Sequence, residues 1–393
     1  LLLPLWKRKV AEMSWIDHQA SGSAKPPPDN GGREYGLPPA IGKWGMQDAA
    51  RRLLPEQKQL QHCCRTFARH ADGVEVWASE RSAYFRGLVQ CGSVWLCPVC
   101  SEKISAVRGV ELQQAIDNAL DYGHGVQLVT LTVRHGRELP LDDLLEKFTK
   151  AVRRFKSGRA YQKAVADFGI LGEVRALEVT HGEANGWHPH THALTFSHAP
   201  LKGHTLTRLK RRLFVLWFRA CGKEGLPLPD YAHGVDVRPA KYAAAYVAKF
   251  GFAAELVKSA KKKGKVGSRN QWQLLADAAA GDRRSAWLFR EYAKNFKGRR
   301  QLFWSKGLRV RLSLGVELTE QDALNVPDAP DCSLLFVLDP DTWAVVLRAG
   351  ARAAVLEAAK QGAANLYGFL NRIRCEVPLW DGSFLGNNPR WEV

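Results

Sequence analysis

The stretch WHPHTHALTF, residues 187–196, sets His188, His190 and His192 at every second position and follows them with an apolar run. Successive side chains of a β-strand point to opposite faces, so the three imidazoles share one face with Leu194 and Phe196. Two imidazoles on one strand face can grip one metal ion, whereas a histidine on its own more often only hydrogen-bonds. The choice rests on what stands opposite. Just upstream, VRALEVT (174–180) alternates with Glu178 out of phase with Leu177 and Val179, and HGEANGW between the two stretches carries the Gly and Asn of a hairpin connection. Such pairing lets Glu178 face the same side as His190 and His192. Two imidazoles and one carboxylate leave positions open on a divalent ion for water and a phosphate oxygen, and mixed nitrogen and oxygen donors suit Mn2+ or Mg2+.

A second group lies on KYAAAYVAKFGFAAEL, which reads as a helix from Lys241. Ala243, Val247, Phe250 and Ala254 recur at i, i+4, i+7 and i+11 and make an apolar face for the core. Tyr242, Tyr246 and Lys249 fall on a stripe rotated by roughly 100° and so can face a site. The plainer alternative is that both tyrosines only pack.

The third group is cysteine. CCRTF supplies Cys63 and Cys64, and CGSVWLCPVCSEKI supplies Cys91, Cys97 and Cys100. Cys97 and Cys100 have the C-x-x-C spacing in which both thiolates of a tight turn reach one tetrahedral zinc. Cys91 and either Cys63 or Cys64 complete four sulfurs, with His62 and His70 as substitutes. No thioredoxin-like βαβ pattern surrounds the pair, which argues against a redox role. Four protein ligands close such a site, so Zn2+ there is structural and worth on the order of 10 kcal/mol.

The chain that must position these groups has 393 residues, 46% hydrophobic, with a formal charge of +18 and a pI near 9.7. That is enough for a sizeable core in two or three domains, and the charge points to a polyanionic partner, nucleic acid by default. No apolar run nears the roughly 18 residues of a membrane span. Eight cysteines in a chain of this length read as metal ligands in a reducing cytoplasm rather than as a disulfide framework. The opening LLLPLWKRKV, ahead of Met13, has too short an apolar stretch for a signal peptide, and the start site is left open.

The fold class expected is α+β, a central antiparallel sheet with flanking helices. Its parts are a flexible leader over 1–55, a zinc-binding module over 56–105, a catalytic domain over 106–310 and a small α/β appendage over 311–393. Helices are expected over 106–121, 140–168, about 205–220, 271–280 and 284–297, and strands at 125–136, 174–180, 188–196 and in HGVDVRPA. Between Leu312 and Leu347 there is no Lys or Arg and there are seven carboxylates, so the DNA-gripping surface lies upstream. RLKRRLFVLWFR and KKKGK are the expected backbone grips.

LVTLTVRH, EVT…GWHPHTHAL and YAAAYVAKF, in this order, resemble the three motifs of the HUH endonucleases, specifically the rolling-circle plasmid replication initiators. CGSVWLCPVC upstream and FKGRRQLFWSKGL downstream resemble segments of bacterial plasmid Rep proteins, so the resemblance spans about residues 60–310. It implies that His190 and His192 are the metal-binding pair, that Glu178 is the third ligand and that Tyr246 is the nucleophile, with Lys249 one turn away. His188 is an additional histidine at the rim. Many relatives carry Glu four residues before the nucleophile, where this chain has Tyr242; others have two tyrosines at that spacing. The implied reaction nicks plasmid origin DNA, single-stranded at the nick, leaving a 5′-phosphotyrosine and a 3′-OH that primes a DNA polymerase. With no Walker-type G-x-x-x-x-G-K-[ST] segment, unwinding needs a host helicase. The alternatives are a two-tyrosine HUH transposase and a zinc-dependent DNA-binding regulator that does not cut.

Overall fold

The computed structural model describes residues 42–134, 139–251, 268–327 and 331–376. Its principal elements begin with α1 (Lys43–Leu53), β1 (Val74–Ala78), β2 (Ala83–Arg86), α2 (Pro98–Asp121) and β3 (Gly125–Thr132). There follow α3 (Leu141–Ser157), α4 (Arg159–Asp167), β4 (Ile170–Gly182), β5 (Gly186–Ser197), α5 (His204–Lys223), β6 (Val235–Pro239) and α6 (Ala240–Gly251). The remainder comprises β7 (Ser268–Arg269), α7 (Gln271–Ala279), α8 (Arg283–Phe296), β8 (Leu302–Trp304), β9 (Ser333–Leu338), α9 (Pro340–Arg348), α10 (Arg352–Lys360) and α11 (Ala363–Glu376).

These elements form two units, one of residues up to 54 with 92–326, the other of 55–91 with those from 327 on. The grouping differs from the sequential division into a module over 56–105 and an appendage over 311–393. The physical reason is strand pairing. A two-stranded ribbon is marginal in water, and β1 gains its third strand from far along the chain, pairing antiparallel with β9 to give the order β2-β1-β9. Val74, Val76 and Leu338 of this sheet bury against Trp343, Val345, Val355, Leu366 and Leu370 of α9, α10 and α11.

The other unit is built on an antiparallel sheet in the order β6-β3-β5-β4-β7, with β8 also on β4. On one face Val126, Leu128, Val174, Ala176, Leu194 and Phe196 form a core with Leu112, Ile116 and Ala119 of α2 and with Ala243 and Val247 of α6. On the opposite face Val129, Leu131 and Ala193 line a small pocket with Val152 and Phe155 of α3 and Leu209 and Leu213 of α5. The expected α+β class and antiparallel sheet are therefore present.

Local chemistry explains the differences in boundaries. Helix α2 begins at Pro98 rather than near 106, because Cys97 is extended at its N-cap and Pro98 suits the first helical turn. The helix expected over 140–168 is two helices interrupted at Gly158, whose extended conformation ends α3 and begins α4. The hairpin strands are longer than read and meet at Glu183–Asn185, where Gly186 takes φ +71°, a conformation that favours glycine. The flexible leader expected over 1–55 does not extend that far, since Lys43–Leu53 forms α1 and buries Met46, Ala49 and Ala50; residues 1–41, the KKKGK run, Ala254 and the side chains of Lys249 and Phe250 lie outside what is described.

Phe196 is fully buried in the core stripe of β5. Phe196→Ala should lower the unfolding free energy by about 3–5 kcal/mol, read as a shifted urea midpoint in far-UV circular dichroism. An unchanged midpoint would show that this stripe does not carry the unit's stability.

Candidate active site and metal centres

The site is the polar continuation of an apolar stripe. Along β5 the inward face runs Phe196, Leu194, His192, His190; along β4 it runs Val174, Ala176, Glu178; along β3 it runs Val126, Leu128, Thr130, Thr132. Register sets Glu178 opposite His190, Ala176 opposite His192 and Thr180 opposite His188 on β4, and Thr130 opposite His192 and Thr132 opposite His190 on β3. Where α2 and α6 cover the stripe it is core, and further along it becomes the candidate metal centre.

His190 Nε2 lies 3.1 Å and His192 Nε2 3.6 Å from Glu178 Oε2. One donor atom from each of the three residues falls within 4.8 Å of the others. Thr130 Oγ1 is 2.9 Å from His192 Nδ1, which turns the opposite ring nitrogen toward Glu178. From α6 the Tyr246 hydroxyl donates to Glu178 Oε1 at 2.9 Å, and its ring centroid is 4.8 Å from that of His192. The His188 ring is next in the row, 5.4 Å from that of His190. Sequence and structure thus bring together Glu178, His190, His192 and Tyr246.

Tyr242 stands elsewhere. It is 38% exposed, and its ring lies 5.1 Å from both the Arg238 guanidinium and the Lys241 ammonium. Ala243 and Val247 occupy the core as the helical spacing requires.

The site's electrostatics follow from the contacts. Burial pushes the Glu178 carboxyl up, but the His190 hydrogen bond, the charges of His192 and His190 and the Tyr246 hydroxyl outweigh it and hold the group at about 2. Burial, the Glu178 charge and the hydrogen bond to it push the Tyr246 hydroxyl well above the usual phenol range. In this arrangement the carboxylate is charged and the phenol keeps its proton.

The cysteines form a second centre. The sulfurs of Cys63, Cys91, Cys97 and Cys100 all lie within 4.8 Å of one another, which fits tetrahedral Zn2+, where four sulfurs at about 2.3 Å from the ion stand about 3.8 Å apart. The Cys91 backbone N–H points at Cys63 Sγ and the Gln47 amide at Cys97 Sγ, both at 3.3 Å, as charged sulfur ligands favour. The group contains Cys63 and not Cys64. Cys64 takes φ +53°, so the backbone reverses between two adjacent residues and only one thiol joins the cluster. His62 and His70 are not among its members.

Two supporting residues escaped the sequence reading. Thr130 was legible in principle, being in phase with Leu128 on a strand already recognised. Gln47 was not, since 50 residues separate it from Cys97.

Comparison with known proteins places the chain. Residues 88–326 match the family described as Replication protein. Among curated relatives, Protein rep of Streptomyces lividans is 30% identical over 345 residues, covering 70% of this chain and 75% of that protein. A neomycin resistance protein of Streptomyces cyanogenus is 35% identical over 152 residues, a third of each chain. No solved structure matches significantly. The chain belongs to the Replication protein family of plasmid replication initiators.

Two measurements check the centres. Elemental analysis should find zinc in the purified chain and in Cys64→Ser but not in Cys63→Ser or Cys97→Ser, and the zinc-free forms should melt at lower temperature. Retained zinc in Cys63→Ser would undo the ligand assignment. For Glu178, a carboxyl depressed from 4.5 to about 2 adds stability above its unfolded value and loses it as pH falls through the folded one. The melting-temperature difference between metal-free wild type and Glu178→Gln should therefore shrink from about pH 4.5 toward 2.

Proposed function

We propose that this chain initiates rolling-circle replication of a plasmid by nicking origin DNA, with Tyr246 as nucleophile and Glu178, His190 and His192 as ligands of Mg2+ or Mn2+. The carrying observation is the Tyr246 hydroxyl 2.9 Å from the carboxylate that stands against both imidazoles. A divalent ion bound there supplies charge that polarises a phosphate oxygen, worth several kcal/mol.

The chain's own residues do the rest. A phenol of ordinary acidity is ionised only about once in a thousand at pH 7, a deficit of roughly 4 kcal/mol, and the contact with Glu178 deepens it. Tyr246 therefore attacks only once its proton has left. Its oxygen bonds to phosphorus, the P–O3′ bond breaks, and the departing oxygen takes up a proton as a free 3′-OH. The bond energy is kept in the 5′-phosphotyrosine for rejoining. Thr130 holds the His192 ring in place. Lys249, three residues beyond Tyr246 in the sequence, is assigned the neutralisation of charge at the phosphate. Tyr242, on the exposed turn before Tyr246, is assigned the second strand transfer that releases a unit-length circle. The cysteine cluster holds a structural Zn2+, origin DNA is engaged single-stranded at the nick, a host helicase and DNA polymerase act on the product, and the setting is the cytoplasm. No helix among the described residues is long and apolar enough to cross a membrane.

Incubation of the chain with single-stranded origin DNA and Mn2+ should give a covalent adduct on a denaturing gel. Tyr246→Phe should give none, while His190→Ala and His192→Ala should lose nicking yet retain duplex origin binding, since basic surfaces supply affinity. Full nicking by both histidine variants would refute the metal-site reading.

A further inference from the structure

Helix α5 buries Leu209, Leu213 and Trp217 on one side. Its other side mixes charge with aromatic rings: Arg211 and Arg212 are exposed, and Val215 and Phe218 are 41% and 38% exposed. The segment after α5 folds back so that Tyr231, 43% exposed, meets this stripe. The Phe214 centroid lies 5.2 Å from that of Tyr231, edge-on, and 5.9 Å from that of Phe218. Lys210 Nζ stands 5.1 Å over the Tyr231 ring.

Exposed ring faces bordered by cations have a definite ligand chemistry, because bases stack on the rings while phosphates meet the cations. A duplex keeps its base faces internal, so the fitting ligand is a single strand. The patch is also anchored to the end of β3. Trp217 Nε1 donates to the Thr132 carbonyl at 2.7 Å, and the Thr132 hydroxyl donates to the His233 carbonyl at 3.0 Å. Thr132 is the register partner of His190. Both the helix carrying Phe218, which packs on the other face of the sheet, and the segment carrying Tyr231 are thereby tied to the strand whose end pairs with His190.

We propose that Phe214, Phe218 and Tyr231, bordered by Lys210 and Arg211, form a stacking track for single-stranded DNA near the end of β3, on the side of the sheet opposite the histidine pair. The proposal rests on the reading of the histidine centre as a DNA-nicking site and adds a second surface that holds the strand.

The test is fluorescence anisotropy on the full chain carrying Tyr246→Phe, so that no adduct forms, with labelled oligothymidylate of roughly 20 nucleotides and a duplex of equal length. Phe218→Ala combined with Tyr231→Ala should raise the Kd for the oligothymidylate about 10-fold or more and leave duplex affinity unchanged. Tyr231→Phe, which keeps the ring, should bind as the parent does, and Lys210→Gln with Arg211→Gln should flatten the salt dependence. Undiminished oligothymidylate binding by the double alanine variant overturns the proposal, as does equal loss of both ligands. A parent dimer that the variant dissolves in sedimentation, with oligothymidylate affinity intact, would assign the patch to a second copy of the chain and likewise overturn it. Failure of the nicking reading shows separately, as absence of the covalent adduct from the wild-type chain.

Discussion

The register between β4 and β5 is the constraint on which the site depends. A slip of one residue would send every side chain of β5 to the opposite face, so Glu178 meets His190 only while Val174 lies opposite Leu194. The apolar half of the stripe is under strong selection by burial, with Phe196 and Leu194 almost wholly excluded from solvent. Water exclusion around four apolar residues thus fixes the spacing of donor atoms two pairs further along. The site has no need of its own stability, because it borrows that of the core.

The same borrowing explains how α6 delivers its tyrosine. Ala243 and Val247 seat the helix on the sheet through small and branched side chains, and residues three or four apart on a helix share a stripe. Tyr246, rotated to one side of these anchors, meets the carboxylate, while Tyr242, one turn earlier, stands among Arg238 and Lys241. Two tyrosines equivalent in spacing are therefore inequivalent in surroundings: one faces a negative group and the other faces positive ones.

The parts legible in the sequence are those whose physics is local. Alternation at period two shows the faces of β4 and β5, and helical spacing separates the Ala243–Val247 stripe from Tyr246. The C-x-x-C pair is legible for the same reason, since a tight turn sets both thiols side by side. Choosing between Cys63 and Cys64 requires the backbone direction at Cys64, which residue types do not encode. The cations around Tyr242 include Arg238, contributed by the end of β6. The partition of the chain was hidden most deeply, because no local pattern in β1 announces that its partner is β9.

That pairing sets an order of assembly. The bonds between β1 and β9 join segments some 250 residues apart, as do the contacts of Cys332 with Ser79, 253 residues away. Closing so long a loop carries a large entropic cost and is slow. During synthesis β1 and β2 leave the ribosome early and stay without their third strand until Ser333–Leu338 has been made, by which time the whole of the histidine-bearing sheet has emerged. The unit whose strands appear first is completed last, and a translation product ending short of residue 333 carries a full histidine hairpin alongside a ribbon with an open edge of the kind that invites aggregation.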